Sequence, residues 1–280
     1  GSRFSLFFEP HHRRVMHGGL GRLVDEPMDL MVGIEEPDGT ARVLPLTTRG
    51  EVLFNPEQFE RANSITFRGY SERWRLRFEF NVHSVFYPRE DRMCVMPAFY
   101  LEMRVNPVDR VARYEAAGPL PDEVTLFLNV QRPNTTITAA AEGGGHVDLS
   151  YDVTLSPLTP SSGENHDHRS ASTQRDGTPR TVSVQDRIVS LTPGCTVDES
   201  GQGLRLRLPV TSEGSGTKWR LVWASYCGDP VLQRRVDEQV RPLRFRYAHH
   251  WSSLDQVVGE AVEQRDKYLA HSRRFEKVLD

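Results

Sequence analysis

The chain has 280 residues, 38% of them hydrophobic and 26% charged, with a formal net charge of −3 and a sequence pI near 6.4. That balance fits a folded domain and offers no electrostatic case for nucleic acid or an anionic membrane as a partner. No apolar run approaches the ~20 residues of a membrane span, and three scattered cysteines, Cys94, Cys195 and Cys227, do not make a disulfide framework, which favours a reducing, cytoplasmic setting.

In chain order, Gly1-Ser2 reads as a cloning scar, which places the natural start and any signal peptide outside this sequence. Gly18-Gly19-Leu20-Gly21 is glycine-rich but lacks the lysine and helix start of a phosphate loop. Pro37-Asp38-Gly39 marks a turn between apolar segments. Between Leu46 and Ile65, Asn55, Pro56 and Gln58 supply an N-cap, a first-turn proline and a capping-box partner, and predict one short helix.

The segment WRLRFEFNVHSVFYP then alternates, broken only at Ser84. Trp74, Leu76, Phe78, Phe80, Val82 and Phe86 fall on one face, and Arg75, Arg77, Glu79, Asn81 and His83 on the other, predicting a strand ~40 Å long at ~3.3 Å per residue. The same period recurs at Phe99, Leu101, Met103 and Val105, at Val124, Leu126, Leu128 and Val130, and at Val147, Leu149, Tyr151, Val153 and Leu155. It returns at Leu204, Leu206, Leu208 and Val210, at Trp219, Leu221 and Trp223, and at Leu243, Phe245 and Tyr247. Gly143-Gly144-Gly145 marks a further turn, and Ser156–Arg180, nearly devoid of apolar residues, reads as an exposed, mobile loop. Strands this numerous, with one apolar face each, predict a mostly β fold: a large two-sheet antiparallel β-sandwich, or supersandwich, over residues 1–250.

The last stretch, SSLDQVVGEAVEQRDKYLAHSRRFEKVLD, reads as one helix. Ser253 and Gln256 form a capping-box pattern, and apolar residues recur at three-and-four spacing through Val257, Val258, Ala261, Val262, Leu269 and Phe275. At 1.5 Å per residue it is ~40 Å long. Either it docks as a terminal helix, or residues 251–280 are a helical linker toward a second domain; the second reading is preferred because no Gly, Asn or Pro caps the last turn.

Chemistry is sparse. His166-Asp167-His168 beside Glu164 has metal-ligating residue types, but lies in the predicted loop with no further partner spaced nearby, so no metal site or cofactor is expected. Glu35-Glu36, Glu90-Asp91, Asp122-Glu123 and Asp237-Glu238 are adjacent carboxylates, and neighbours in an extended strand point to opposite faces. Gly214-Ser215-Gly216 lacks the setting of a nucleophile elbow.

Several segments resemble the N-terminal domain of glycoside hydrolase family 116, the non-lysosomal glucosylceramidase and bile-acid β-glucosidase family. They are Gly18-Gly19-Leu20-Gly21, which departs from the family pattern at Arg22 and Leu23; SVFYPREDRMCVMPAFYLEMRVNP, with Pro88, Asp91, Pro97 and Asn106 at the expected places; KWRLVWAS with Trp223; and the terminal HHWSSLDQVVGEAVEQRDKYLAHSRRFEKVL. The resemblance implies a non-catalytic sandwich that packs against a C-terminal (α/α) barrel of the same polypeptide and shapes its sugar pocket. The family's catalytic carboxylates lie in that barrel, so no catalytic residue is expected here. The expected partners are the barrel and a carbohydrate or glycoconjugate substrate, with no nucleic acid; an isolated domain would tend to self-associate through its uncovered helix. Tyr87, Glu90 and Asp91 from one loop, and His249 and Trp251 from the approach to the helix, are the expected substrate-side residues. A free-standing carbohydrate-binding sandwich, or the N-terminal domain of a glycoside phosphorylase or glucoamylase-like enzyme, is the alternative.

Overall fold

A computed structural model describes residues 6–17, 26–108, 119–132, 135–139, 145–155, 180–198, 203–210, 218–236 and 239–279. The Gly18–Gly21 motif, most of the 156–180 loop with its histidines, Asp237-Glu238 and Gly214–Gly216 lie outside these residues. In chain order the strands are β1 (Leu6–Glu9), β2 (Arg14–His17), β3 (Glu26–Glu35), β4 (Ala41–Val43), β5 (Glu51–Val52), β6 (Phe54–Glu60), β7 (Ser64–Ser71), β8 (Leu76–Ser84) and β9 (Ala98–Pro107). They continue as β10 (Glu123–Gln131), β11 (Thr135–Ala139), β12 (His146–Leu155), β13 (Arg180–Ser190), β14 (Thr196–Val197), β15 (Gly203–Pro209), β16 (Lys218–Tyr226), β17 (Leu232–Val236) and β18 (Gln239–Leu243). A short α1 (Asp91–Val95) lies between β8 and β9, and α2 (Leu254–Glu263) and α3 (Arg265–Leu279) end the described chain.

Two eight-stranded sheets hold most of these strands. The first runs β1-β2-β3-β10-β15-β14, with β4 and β5 branching from β3; the second runs β11-β12-β13-β16-β9-β8-β7-β6. The strand pairs are antiparallel except β4 with β5, which is parallel, so the first sheet is mixed. Gly33, at the branch, is obligatory: a Cβ there would sit 1.9 Å from the Arg42 carbonyl oxygen of β4. In the second sheet β16 joins two meanders, pairing β13 on one side and β9 on the other.

One apolar cluster draws on both sheets. Leu30, Val32, Ile34, Leu126, Leu128, Leu204 and Leu206 come from the first, and Phe78, Phe80, Leu101, Met103, Trp219, Leu221 and Trp223 from the second. The alternating sets in the sequence therefore mark the face each strand turns inward. A second cluster lies on the other side of the second sheet, where Tyr100, Val222, Ala224 and Tyr226 meet Trp251, Leu254, Val257, Ala261, Tyr268 and Leu269. Strand β16 is thus apolar on both faces, one against the first sheet and one beneath α2.

The helical region starts as the capping pattern indicates. Ser253 is extended, its hydroxyl accepts the Gln256 N–H, and the Gln256 side chain reaches back to the Ser252 N–H at 2.8 Å. It is two helices and not one: Gln264 sits at φ −91° and ψ 7°, although Gln264 N–H still bonds Glu260 and Tyr268 N–H still bonds Gln264. Within the apolar stripe Val257, Ala261 and Leu269 are buried, Val258 and Phe275 are half-buried, and Val262 is exposed. The docking is also polar: Tyr100 donates to the Ala261 carbonyl at 2.7 Å, and Glu276 accepts from the Ser64 hydroxyl at 2.7 Å and the Asn63 N–H at 3.2 Å.

Three local expectations fail. Residues 54–60 are the edge strand β6 and not a helix; Asn55 adopts φ 45° and the register shifts between Phe54 and Glu57, so Asn-Pro marks a bulge and the proline occupies an edge, where no ladder donor is needed. Strand β8 is shorter than its alternation, because Arg75 at φ 52° puts Trp74 in the preceding turn, and Phe86 leaves the sheet to pack edge-on against Phe275 at 5.4 Å. Leu243, Phe245 and Tyr247 do not share a strand, since β18 ends at Leu243 and a 3-10 turn begins at Arg246.

Candidate functional site

Tyr87, Glu90 and Asp91 lie in the connection from β8 to β9, and Trp251 follows the 3-10 turn Arg246–His249 that leads into α2. The connection is pinned by its apolar members: Val85, Met93, Val95 and Met96 enter the second cluster, which leaves the intervening polar residues turned toward the helices. Glu90 N–H closes a turn on the Tyr87 carbonyl at 3.1 Å.

The fold brings these residues together along one seam. Glu90 receives Lys267 at 2.7 Å and lies 3.3 Å from His271, whose ring is 4.9 Å from that of Tyr87. Asp91 meets His250 at 2.8 Å and also pairs with Arg246. Trp251 is buried, with 3% of its surface exposed, and its indole N–H donates to Glu260 at 2.9 Å. Glu260 also accepts from Tyr268 and pairs with Arg92. His249 is exposed and takes no part in these contacts.

The electrostatics run against acid catalysis. The hydrogen bond from Lys267, joined by His271, holds the Glu90 carboxyl below its ordinary range against the opposing effect of burial. A general acid at neutral pH needs the reverse, a carboxyl raised by burial without a cation beside it. Burial and the neighbouring Glu260 carboxylate push the Tyr268 phenol up, so it stays neutral and donates. Three of the other adjacent carboxylates have separate basic partners: Glu35 with Arg205 at 2.7 Å, Glu36 with Arg42 at 3.5 Å, and Glu123 with Arg207 at 2.7 Å. The seam fastens the β8–β9 connection to the helices, and the buried Trp251 ring is not presented for stacking on a sugar.

A second concave surface, among the described residues, lies elsewhere. Helices α2 and α3 cover part of the outer face of the second sheet and leave the β6–β9 part open. There a groove of about 630 Å³ is floored by side chains in register: Phe59 opposite Thr66, Thr66 opposite Asn81, and in the next row Arg68, Glu79 and Arg104. Arg273, Glu276 and Lys277 of α3 form one wall. The alternation in β8 does mark Glu79, Asn81 and His83 as outward-facing. It gives no hint of Phe59, because residues 54–60 resemble a helix start, nor of α3, which is remote in sequence.

Among the described residues no three His, Cys, Asp or Glu side chains converge as a metal site, and no helix is long and apolar enough to cross a membrane. All three cysteines are free thiols. A scan against models of known protein families matches none of them to this chain, and a search of curated proteins finds no match either. The glycoside hydrolase resemblance therefore stands on the quoted segments alone.

Proposed function

We propose that this chain is a non-catalytic β-sandwich domain of a glycoside hydrolase of the β-glucosidase or glucosylceramidase kind, which packs against a helical-barrel catalytic domain of the same polypeptide and shapes its active site. The observation that carries the reading is the state of the carboxylates: Glu90 and Asp91, on the segment closest to the family pattern, are each held by basic partners and are not poised as an acid and a base. A cluster shared by two large sheets supports the sandwich. Free thiols agree with a cytoplasmic protein. The substrate of the whole enzyme would be a carbohydrate or glycoconjugate, with Tyr87, Glu90, Asp91, His249 and Trp251 on the side nearest its pocket.

The purified chain should not hydrolyse aryl β-glucosides. An antibody against it should detect, in the cells that make it, a product several hundred residues longer that carries the hydrolase activity. A native product of about this chain's own size, or turnover abolished by Glu90→Gln, would overturn the reading. A free-standing carbohydrate-binding sandwich is the second reading, favoured by the open groove on the second sheet.

A further inference from the structure

We propose that the groove across β6–β9, walled by α3, binds an acidic oligosaccharide. The site needs no catalytic domain and stands whichever polypeptide the chain belongs to.

The floor of the groove has the chemistry of sugar recognition. Thr66 donates to the Asn81 side-chain oxygen at 2.6 Å, which orients the amide and leaves its NH2 group to donate to a ligand hydroxyl. Beside them Arg68 is fixed by Glu79 at 3.0 Å, so a planar donor is held ready. Phe59, 46% exposed and with the Arg68 guanidinium 4.9 Å from its ring centre, adds an aromatic surface at one end. Among the described residues few large hydrophobic side chains are this exposed, and Phe59 belongs to the groove's lining.

The wall and rim supply the sign of the ligand. A cross-strand ladder of opposite charges is ordinary on a solvated sheet face, and Glu57, Arg68 and Glu79 need no other explanation. Arg61, Arg273 and Lys277 are different: they line the same groove and pair with no carboxylate among the described residues. Of the carboxylates that line the groove, Glu79 is paired with Arg68 and Arg77, whereas Glu60 is bonded by the Gln58 amide and Glu276 by Ser64 and the Asn63 N–H, neutral donors that leave both charges in place. Over the whole lining, Arg61, Arg68, Arg104, Arg273 and Lys277 outnumber Glu60, Glu79 and Glu276, so positive charge is in excess in the groove. His83, on its floor, is kept neutral by burial with Arg273 adding to the effect. An elongated polar groove with an aromatic platform and unpaired cations fits a chain of sugar rings carrying carboxylate or sulfate groups.

The test is calorimetric titration of the purified protein with an oligogalacturonate and with a heparin-derived oligosaccharide, beside methyl-esterified oligogalacturonate and hexaglutamate as controls. At least one acidic sugar should bind, and the ester and the peptide should bind at least about tenfold more weakly. Phe59→Ala should weaken binding about tenfold, and so should Arg273→Ala combined with Lys277→Ala, with unfolding midpoints unchanged because these side chains are exposed. Binding of neither acidic sugar overturns the proposal. Equal binding of the ester removes the acidic specificity, and equal binding of hexaglutamate, or indifference to Phe59→Ala, reduces the groove to a general anion surface; each of these also overturns it.

Discussion

Arg132, just beyond β10 of the first sheet, faces Asp186 on β13 of the second at 3.5 Å, and solvent reaches neither side chain. Asp186 also accepts from Trp223 at 3.4 Å and from Tyr151 at 3.3 Å, and the Arg132 guanidinium lies 4.3 Å from the Tyr151 ring centre. Burial pushes the Asp186 carboxyl up, against the pull of Arg132. Two buried charges thus tie the sheets together where apolar side chains would otherwise meet. Asp186→Ala should destabilise the protein by ~3–5 kcal/mol, because it strands a buried guanidinium, whereas Arg132→Met with Asp186→Leu should cost far less or even stabilise. Urea titration of the single and double variants measures the contrast; equal losses would mean that packing and not charge governs the position.

Phe80 lies in the shared cluster with 1% of its surface exposed, its ring centre 6.3 Å from that of Phe67. Phe80→Ala should lose ~3–5 kcal/mol. A loss under ~1 kcal/mol in denaturant would contradict the burial of that face.

Glu276 holds the last turns of α3 to the β6–β7 corner through Ser64 and the Asn63 N–H. Glu276→Ala should raise amide exchange in residues 272–279 while leaving α2 protected. Tyr100→Phe, which removes the hydroxyl bond to Ala261, should cost ~1 kcal/mol and loosen α2 first. If both variants speed exchange uniformly along 254–279, the two helices behave as one unit despite the irregular residue at Gln264.

His83 should make stability fall on acidification. Its folded pKa lies below the reference 6.5, chiefly because burial disfavours the imidazolium and partly because Arg273 repels it. The unfolded chain therefore takes up this proton first, so the stability is complete above about pH 6.5 and drains as pH falls toward the folded value. Denaturation midpoints from about pH 8 to about pH 5 should drop less for His83→Gln than for the parent protein. Parallel curves would show that His83 is not the group responsible.

Period two in single strands identified the inward faces: Phe78, Phe80, Leu101, Met103, Leu126, Leu128, Leu206 and Trp223 are all buried in the shared cluster. It served less well where a second element covers the outer face. Tyr100 looks like a solvated position beside Glu102 and Arg104, yet α2 sits on it; the nearly unbroken apolar run of VWASYC in β16 was the available signal for burial on both faces. Asn55-Pro56 misled because a bulge at a sheet edge and a helix start favour the same residues. The seam joins Glu90 to Lys267, 177 positions away, and the groove sets Phe59 beside α3. Such juxtapositions arise from register and docking, which no local pattern encodes.

The place of β16 between two meanders also bears on synthesis. In a nascent chain β6–β9 can zip together early, but the free edge of β9 finds its partner only when residues 218–226 have been made. At ~5–20 residues per second that wait is roughly ten seconds, during which an apolar strand edge stays open to other chains. The native pairing is then a closure between segments distant in sequence, a slow kind of step. Chains released before β16 should collect as aggregates, whereas chains released just after α2 have both faces of β16 available to cover.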